Sequence, residues 1–139
     1  MKTVLAMNLL AKLIMVDVSV WDRSENKYRD LLITVDTGAS VTTISTDILH
    51  TLGYDTTQGN EQKIITASSV EFVKETTIDK IKLGDFELEN VQVYAHTFPE
   101  SSFSLGLIGL NVLKEFDVNF LFSNKTIELT PIDDRNSKR

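Results

Sequence analysis

The hydrophobic pattern of this 139-residue chain alternates with a period of two and is broken at short intervals by turn residues. No other feature narrows the fold as much. Ile14, Val16, Val18 and Val20 alternate with Met15, Asp17, Ser19 and Trp21, which predicts a strand with one buried face. The polar run Asp22 to Lys27 reads as a hairpin loop, with Tyr28 to Val35 as the return strand. Leu31-Leu32-Ile33 is apolar on both faces, so this strand is expected to end in the core. Further strands are predicted over 41–44, 63–67, 70–78, 81–83, 86–94, 105–108, 118–120 and 126–129. Turn signals stand at Ser68-Ser69, Gly84-Asp85 and Ser123-Asn124. Two short helices are expected. One is capped by Ser45, runs through Leu52 and stops at Gly53; the other covers 111–116. The pattern predicts an all-β barrel or sandwich.

The length suits one domain, expected over 1–130, large enough to bury a core without disulfides or metal. Residues 1–12 are expected to form an extra strand or part of an interface, and 131–139 a polar, disordered tail. The chain has no cysteine, which excludes disulfides, thiolate metal sites and cysteine nucleophiles. Its 14 basic and 20 acidic residues give a net charge of -6, which argues against nucleic acid as a partner. His50 and His96 have no metal-ligand spacing, so neither metal nor cofactor is expected. Asn8 and Lys12 interrupt the apolar N-terminal run, and no stretch approaches the length of a membrane span. The reading is a cytoplasmic protein with no membrane partner.

One carboxylate stands apart from the rest. Asp36 follows the apolar strand and precedes Thr37-Gly38, a small-residue turn that lets other backbone approach closely. A lone Asp in a turn is usually structural, because it accepts backbone hydrogen bonds there. About seventy positions on, Leu107-Ile108-Gly109 forms an apolar pair plus Gly, ahead of a short helix opening at Leu110-Asn111. The order and pairing of these two elements carry more weight than either alone.

On these residues the chain resembles the retropepsin-like aspartic proteases. The likeness rests on the segments 32–40, with Asp36-Thr37-Gly38-Ala39-Ser40, and 105–113, with Leu107-Ile108-Gly109. A weaker third part is Phe116-Asp117-Val118-Asn119-Phe120 with Thr126 to Leu129. The likeness runs from about Leu13 to Leu129, and it suggests a cellular, bacterial-type member. It implies a closed barrel of the acid protease fold with two short helices.

It also implies peptide hydrolysis by two carboxylates around one water. Like charges that close together share one proton, so one carboxylate acts as base and the other as acid. The chain has one Asp-Thr-Gly, so the second carboxylate must be Asp36 of a second copy. The implied partners are therefore a polypeptide substrate and a homodimer mate. By the same resemblance Thr37 braces its counterpart across the two-fold axis, and Gly38 admits the substrate backbone. Leu107, Ile108 and Gly109 support the turn. Substrate contacts are expected at Gly38, Ala39 and Ser40. More are expected on a flap hairpin over 65–72, at Ala67, Ser68 and Ser69.

Two departures qualify the resemblance. Ser69 stands where family flaps often carry Gly. Ser40 and Leu110 replace the Asp and Arg that form an ion pair in retroviral members, and losing both leaves no orphan charge. The alternative reading is an inactive relative that keeps the fold as a dimerisation or peptide-binding module.

Overall fold

The computed structural model describes residues 1–9, 12–65, 68–98 and 104–132. Among these, ten strands and two short helices follow one another. They are β1 (Thr3–Ala6), β2 (Met15–Asp22), β3 (Lys27–Val35), β4 (Thr43–Ser45), α1 (Thr46–Thr51), β5 (Glu61–Ile65), β6 (Val70–Leu83), β7 (Phe86–His96), β8 (Gly106–Ile108), α2 (Leu110–Leu113), β9 (Phe116–Leu121) and β10 (Thr126–Pro131). The expected residues 133–139 of the polar tail lie outside the described set.

Six strands close into a barrel in the order β2-β3-β8-β4-β7-β6. The ring is sealed by β2–β6 pairs at Ser19↔Lys82 and Val20↔Ile81. Closure leaves these strands without a free edge. Val16, Val18 and Val20 are at most 1% exposed, so the alternation in β2 maps directly onto the core. Ile33, Ile44, Ile78, Val93 and Ile108 complete its centre from five other strands. Strand β8 lies between β3 and β4, parallel to the first and antiparallel to the second. The chain between β3 and β4, which contains Asp36, must therefore cross the end of β8.

The structure joins the predicted strands 70–78 and 81–83 into one strand, β6. Its ladder with β7 skips Asp79 and Asn90, and Asn90 has φ of 53°. The buried set shifts by one position there. Ile78 and Ile81 are three apart, yet both are fully buried. The interruption in the sequence alternation is thus a kink inside a strand rather than its end.

Two other details differ from expectation. Ser45 sits at the N-cap of α1, but its side chain makes no capping hydrogen bond. Helix α2 ends at Leu113 because Phe116 already opens β9.

The second sheet, ordered β1-β10-β9, covers one side of the barrel. Within one chain β1 serves as an extra outer strand, paired antiparallel from Thr3↔Leu129 to Ala6↔Thr126. Leu5, Ile127 and Leu129 turn into the shared core. The Thr3 hydroxyl accepts the Asp85 N–H at 3.0 Å, and Gly84, at φ of 59°, leaves room for it.

A charge cluster organises the β2–β3 turn. The buried carboxylate of Asp22 accepts from the Ser24 hydroxyl, the Ser24 and Glu25 amides and the Arg29 guanidinium. The Ser24 hydroxyl and these further donors hold Asp22 below the usual carboxylate range, against the opposing effect of burial. Arg23 makes a two-point contact with Asp79 and lies over the Tyr54 ring. That guanidinium lowers the Asp79 pKa.

Candidate active site

Strand β3 delivers Asp36 to the end of the barrel. Val35 pairs with Ile108, and the Asp36 N–H donates to the Ile108 carbonyl at 3.0 Å. The turn closes on itself. The Ala39 N–H donates to the Asp36 carbonyl at 3.2 Å, and the Gly38 N–H donates to Asp36 Oδ1 at 2.9 Å. A Cβ on Gly38 would sit 3.2 Å from that oxygen, so the small residue fits the tight turn. Among the described residues, Oδ1 is the carboxylate oxygen with a protein partner, and Oδ2 is left for others. Asp36 is partly buried, while Thr37 and Gly38 are exposed.

The loop is pinned from behind by the segment that leads into α2. The Leu110 N–H donates to the Ala39 carbonyl at 2.8 Å, and the Asn111 N–H to the Ser40 carbonyl at 3.1 Å. Gly109 is packed against backbone. A Cβ there would lie 2.7 Å from the Val41 carbonyl carbon and 2.8 Å from the Ala39 oxygen. Only glycine allows these two segments to meet so closely. Ile108 is 1% exposed beneath the loop, whereas Leu107 borders the open cleft.

A polar brace joins the same parts. Asn111 Oδ1 accepts from the Thr42 N–H and from the Thr42 hydroxyl, both at 2.8 Å. Asn111 Nδ2 donates to the Gln92 carbonyl at 2.8 Å, and the Gly109 N–H donates to Thr42 Oγ1 at 3.1 Å. One carboxamide thus ties the far end of the Asp36 loop to α2 and β7. Sequence reasoning named the segment at Leu110-Asn111 but gave Asn111 no role. Its one visible signal is an amide side chain two residues after a packed glycine.

A cavity of about 330 Å³ opens beside the loop. Gly38, Ala39, Ser40 and Val41 form one side of it, and Lys63, Ile64 and Ile65 of β5 another. Thr43, Tyr94 and Leu107 complete the lining. Of the expected substrate contacts, Gly38, Ala39 and Ser40 meet at this cavity. Ser68 and Ser69 are not among its lining residues, and Ala67 lies outside the described residues. The hairpin of β5 and β6 is paired up to Ile65↔Val70, and both of these residues belong to the expected flap. Ile65, Val70 and Phe72 are exposed by 75%, 51% and 62%. Ile65 and Val70 are opposite one another and Phe72 is two residues on, so all three share a face. The described residues contain no cluster of three or more groups able to hold a metal.

Comparison with known proteins adds two findings. The family described as "gag-polyprotein putative aspartyl protease" matches residues 26–115, which include both the Asp36 loop and Leu107-Ile108-Gly109. A crystal structure of a retropepsin-like aspartic protease from Rickettsia conorii superposes with a TM-score of 0.68 at 17% identity. It covers 93% of this chain and 89% of that one, which shows a shared retropepsin-like fold. No curated protein matches.

Proposed function

The chain belongs to the gag-polyprotein aspartyl protease family, and on that premise we propose that it is an endopeptidase acting as a homodimer, with Asp36 of each copy as the catalytic carboxylate. The observation that carries this reading is the Asp36 turn. It is fixed at both ends by backbone hydrogen bonds and presents a carboxylate oxygen with no protein partner among the described residues. A single such loop supplies one carboxylate, and hydrolysis by acid–base catalysis needs two.

In the dimer the two Asp36 turns face each other across the axis and share one proton. The ionised carboxylate takes a proton from water as it attacks the scissile carbonyl carbon. The protonated one donates to the carbonyl oxygen. Collapse of the tetrahedral adduct then breaks the C–N bond, and a proton passes to the departing amine. Thr37 braces the facing loops, and Gly38 to Ser40 receive the substrate backbone. Ile108 and Gly109 keep the turn in place, and Leu107 borders the cleft. The hairpin over 65–72 closes from above and excludes water. No described helix is long and apolar enough to cross a membrane. We assign the protein to the cytoplasm.

The test is Asp36→Asn. Cleavage of an unfolded protein substrate should fall by at least about 10³-fold. Sedimentation should give the same dimer, and circular dichroism the same fold. Cleavage surviving in the variant removes Asp36 from the mechanism. A wild type that binds peptides without cutting them favours the peptide-binding alternative.

A further inference from the structure

The cavity beside Asp36 has an unusual set of donors. Among the described residues that line it, Lys63 is the one charged residue and none is a carboxylate. Ser40 and Tyr94 add two hydroxyl groups. None of these three side chains has a hydrogen-bond or ion-pair partner among the described residues. Nearby carboxylates stand outside the lining: Glu61 is two residues from Lys63 on β5, and Glu71 faces His96 at 3.6 Å. The rest of the lining is Gly38, Ala39 and Thr43, whose hydroxyl donates to the Val41 carbonyl, with an aliphatic wall of Val41, Ile64, Ile65 and Leu107. Unpaired donors around an aliphatic wall match a side chain with a methylene stem and an anionic end. Among the described lining residues a cationic side chain would meet Lys63 and no acid.

We infer that this cavity is a specificity pocket for an acidic substrate side chain, glutamate above all. Its carboxylate is met by Lys63 and by the Ser40 and Tyr94 hydroxyl groups. The inference rests on the reading that the cleft beside Asp36 receives peptide, and it adds the chemistry of one substrate position. The Lys63 side of the pocket belongs to the hairpin and the Ser40 side to the Asp36 loop. A bound carboxylate therefore bridges the two. Lys63 is exposed, which makes the preference sensitive to salt.

The experiment digests a mixture of tryptic-length peptides with the wild-type protein at about pH 6, where free carboxylates are ionised. Residues flanking each cut are then counted. The expected result is about tenfold enrichment of Glu or Asp at one position near the cut, shrinking as salt rises. Lys63→Met should lose the enrichment, with cutting at acidic sites falling by about tenfold relative to the wild type. Lys63→Glu should replace it with Lys or Arg. Flat acidic frequencies, or an enrichment that survives Lys63→Met, overturn the pocket while leaving the peptidase reading intact. If nothing is cut, the peptidase reading fails. The pocket is then tested by binding of fluorescent peptide pools that differ only in one Glu or Gln. Equal affinity for both pools overturns it, and tighter binding of the Glu pool that is lost in Lys63→Met supports it.

Discussion

Replacing Asn111 with Ala is the most direct test of how the Asp36 loop is held. The change removes one acceptor and one donor. It leaves the N–H and hydroxyl of Thr42 without their shared partner, and the Gln92 carbonyl without its donor. Thr42 is fully buried, so water cannot easily replace the lost oxygen. A buried polar group left unpaired costs about 1–3 kcal/mol. The Thr42 hydroxyl can turn toward another acceptor and the Gln92 carbonyl lies nearer solvent, so the whole change should cost about 2–4 kcal/mol. Equilibrium denaturation with urea measures this as a lower midpoint at an unchanged slope. Asn111→Asp separates the two halves of the brace. It keeps the acceptor for Thr42 but sets a carboxylate against the Gln92 carbonyl. A cycle with Thr42→Val should give a coupling of about 1–2 kcal/mol, because the two residues share one oxygen. A loss below about 0.5 kcal/mol in Asn111→Ala, the level of an ordinary surface change, would refute the brace.

Three other outcomes are expected. Gly109→Ala should destabilise by about 2–4 kcal/mol or prevent folding, since the new Cβ would fall within 2.9 Å of backbone atoms of Ala39 and Val41; thermal unfolding reads this out. Leu5→Ala should cost about 2–4 kcal/mol, because β1 buries this side chain between the two sheets; exchange of the β10 amides should rise selectively. The Ser24 hydroxyl at Asp22 and the Arg23 guanidinium at Asp79 hold both carboxyl groups below the usual carboxylate range, so each contributes stability that is present above the ordinary pKa and lost as pH falls through the lower folded one; Asp79→Asn should flatten the stability–pH curve in that acidic window.

The barrel strands were legible because their burial is one-sided. Val16, Val18 and Val20 face the core with polar neighbours between them, and nothing at long range disturbs that order. The Asp36 loop and Gly109 were legible for a different reason. A small-residue turn and a packed glycine must be written locally, whatever surrounds them. The kink at Asp79 and Asn90 was not legible, because it depends on the β6–β7 register, and a shifted alternation looks the same as a strand end. The brace was hidden for the same reason. Asn111 and Thr42 are 69 positions apart, and an amide at a helix start gives no sign of its partner. Lys63 and Tyr94 came to the cleft only through tertiary structure, by way of β5 and β7.

The positions of the acid-sensitive groups bear on how any pH profile of this protein is read. Asp22 lies at the start of the β2–β3 hairpin and Asp36 just past the far end of β3. Eight residue steps of extended chain separate the two ends of β3, roughly 25 Å at the usual rise of a strand. At that distance the ionic cluster and the Asp36 turn interact only weakly through screened charge. The cluster nevertheless holds the turn that caps α1, where the Arg23 and Ser24 N–H groups both donate to the Leu52 carbonyl. Protonating Asp22 and Asp79 therefore loosens one end of the barrel without changing the chemistry at the other. An acidic fall in activity then has two separable sources, a change in the chemistry proposed at Asp36 and loss of folded protein. Asp79→Asn distinguishes them. Its activity per folded molecule should follow the wild-type curve, while its folded fraction departs from the wild-type dependence on pH. If the activity per folded molecule shifts as well, the cluster communicates with the site and the two ends of β3 are not independent.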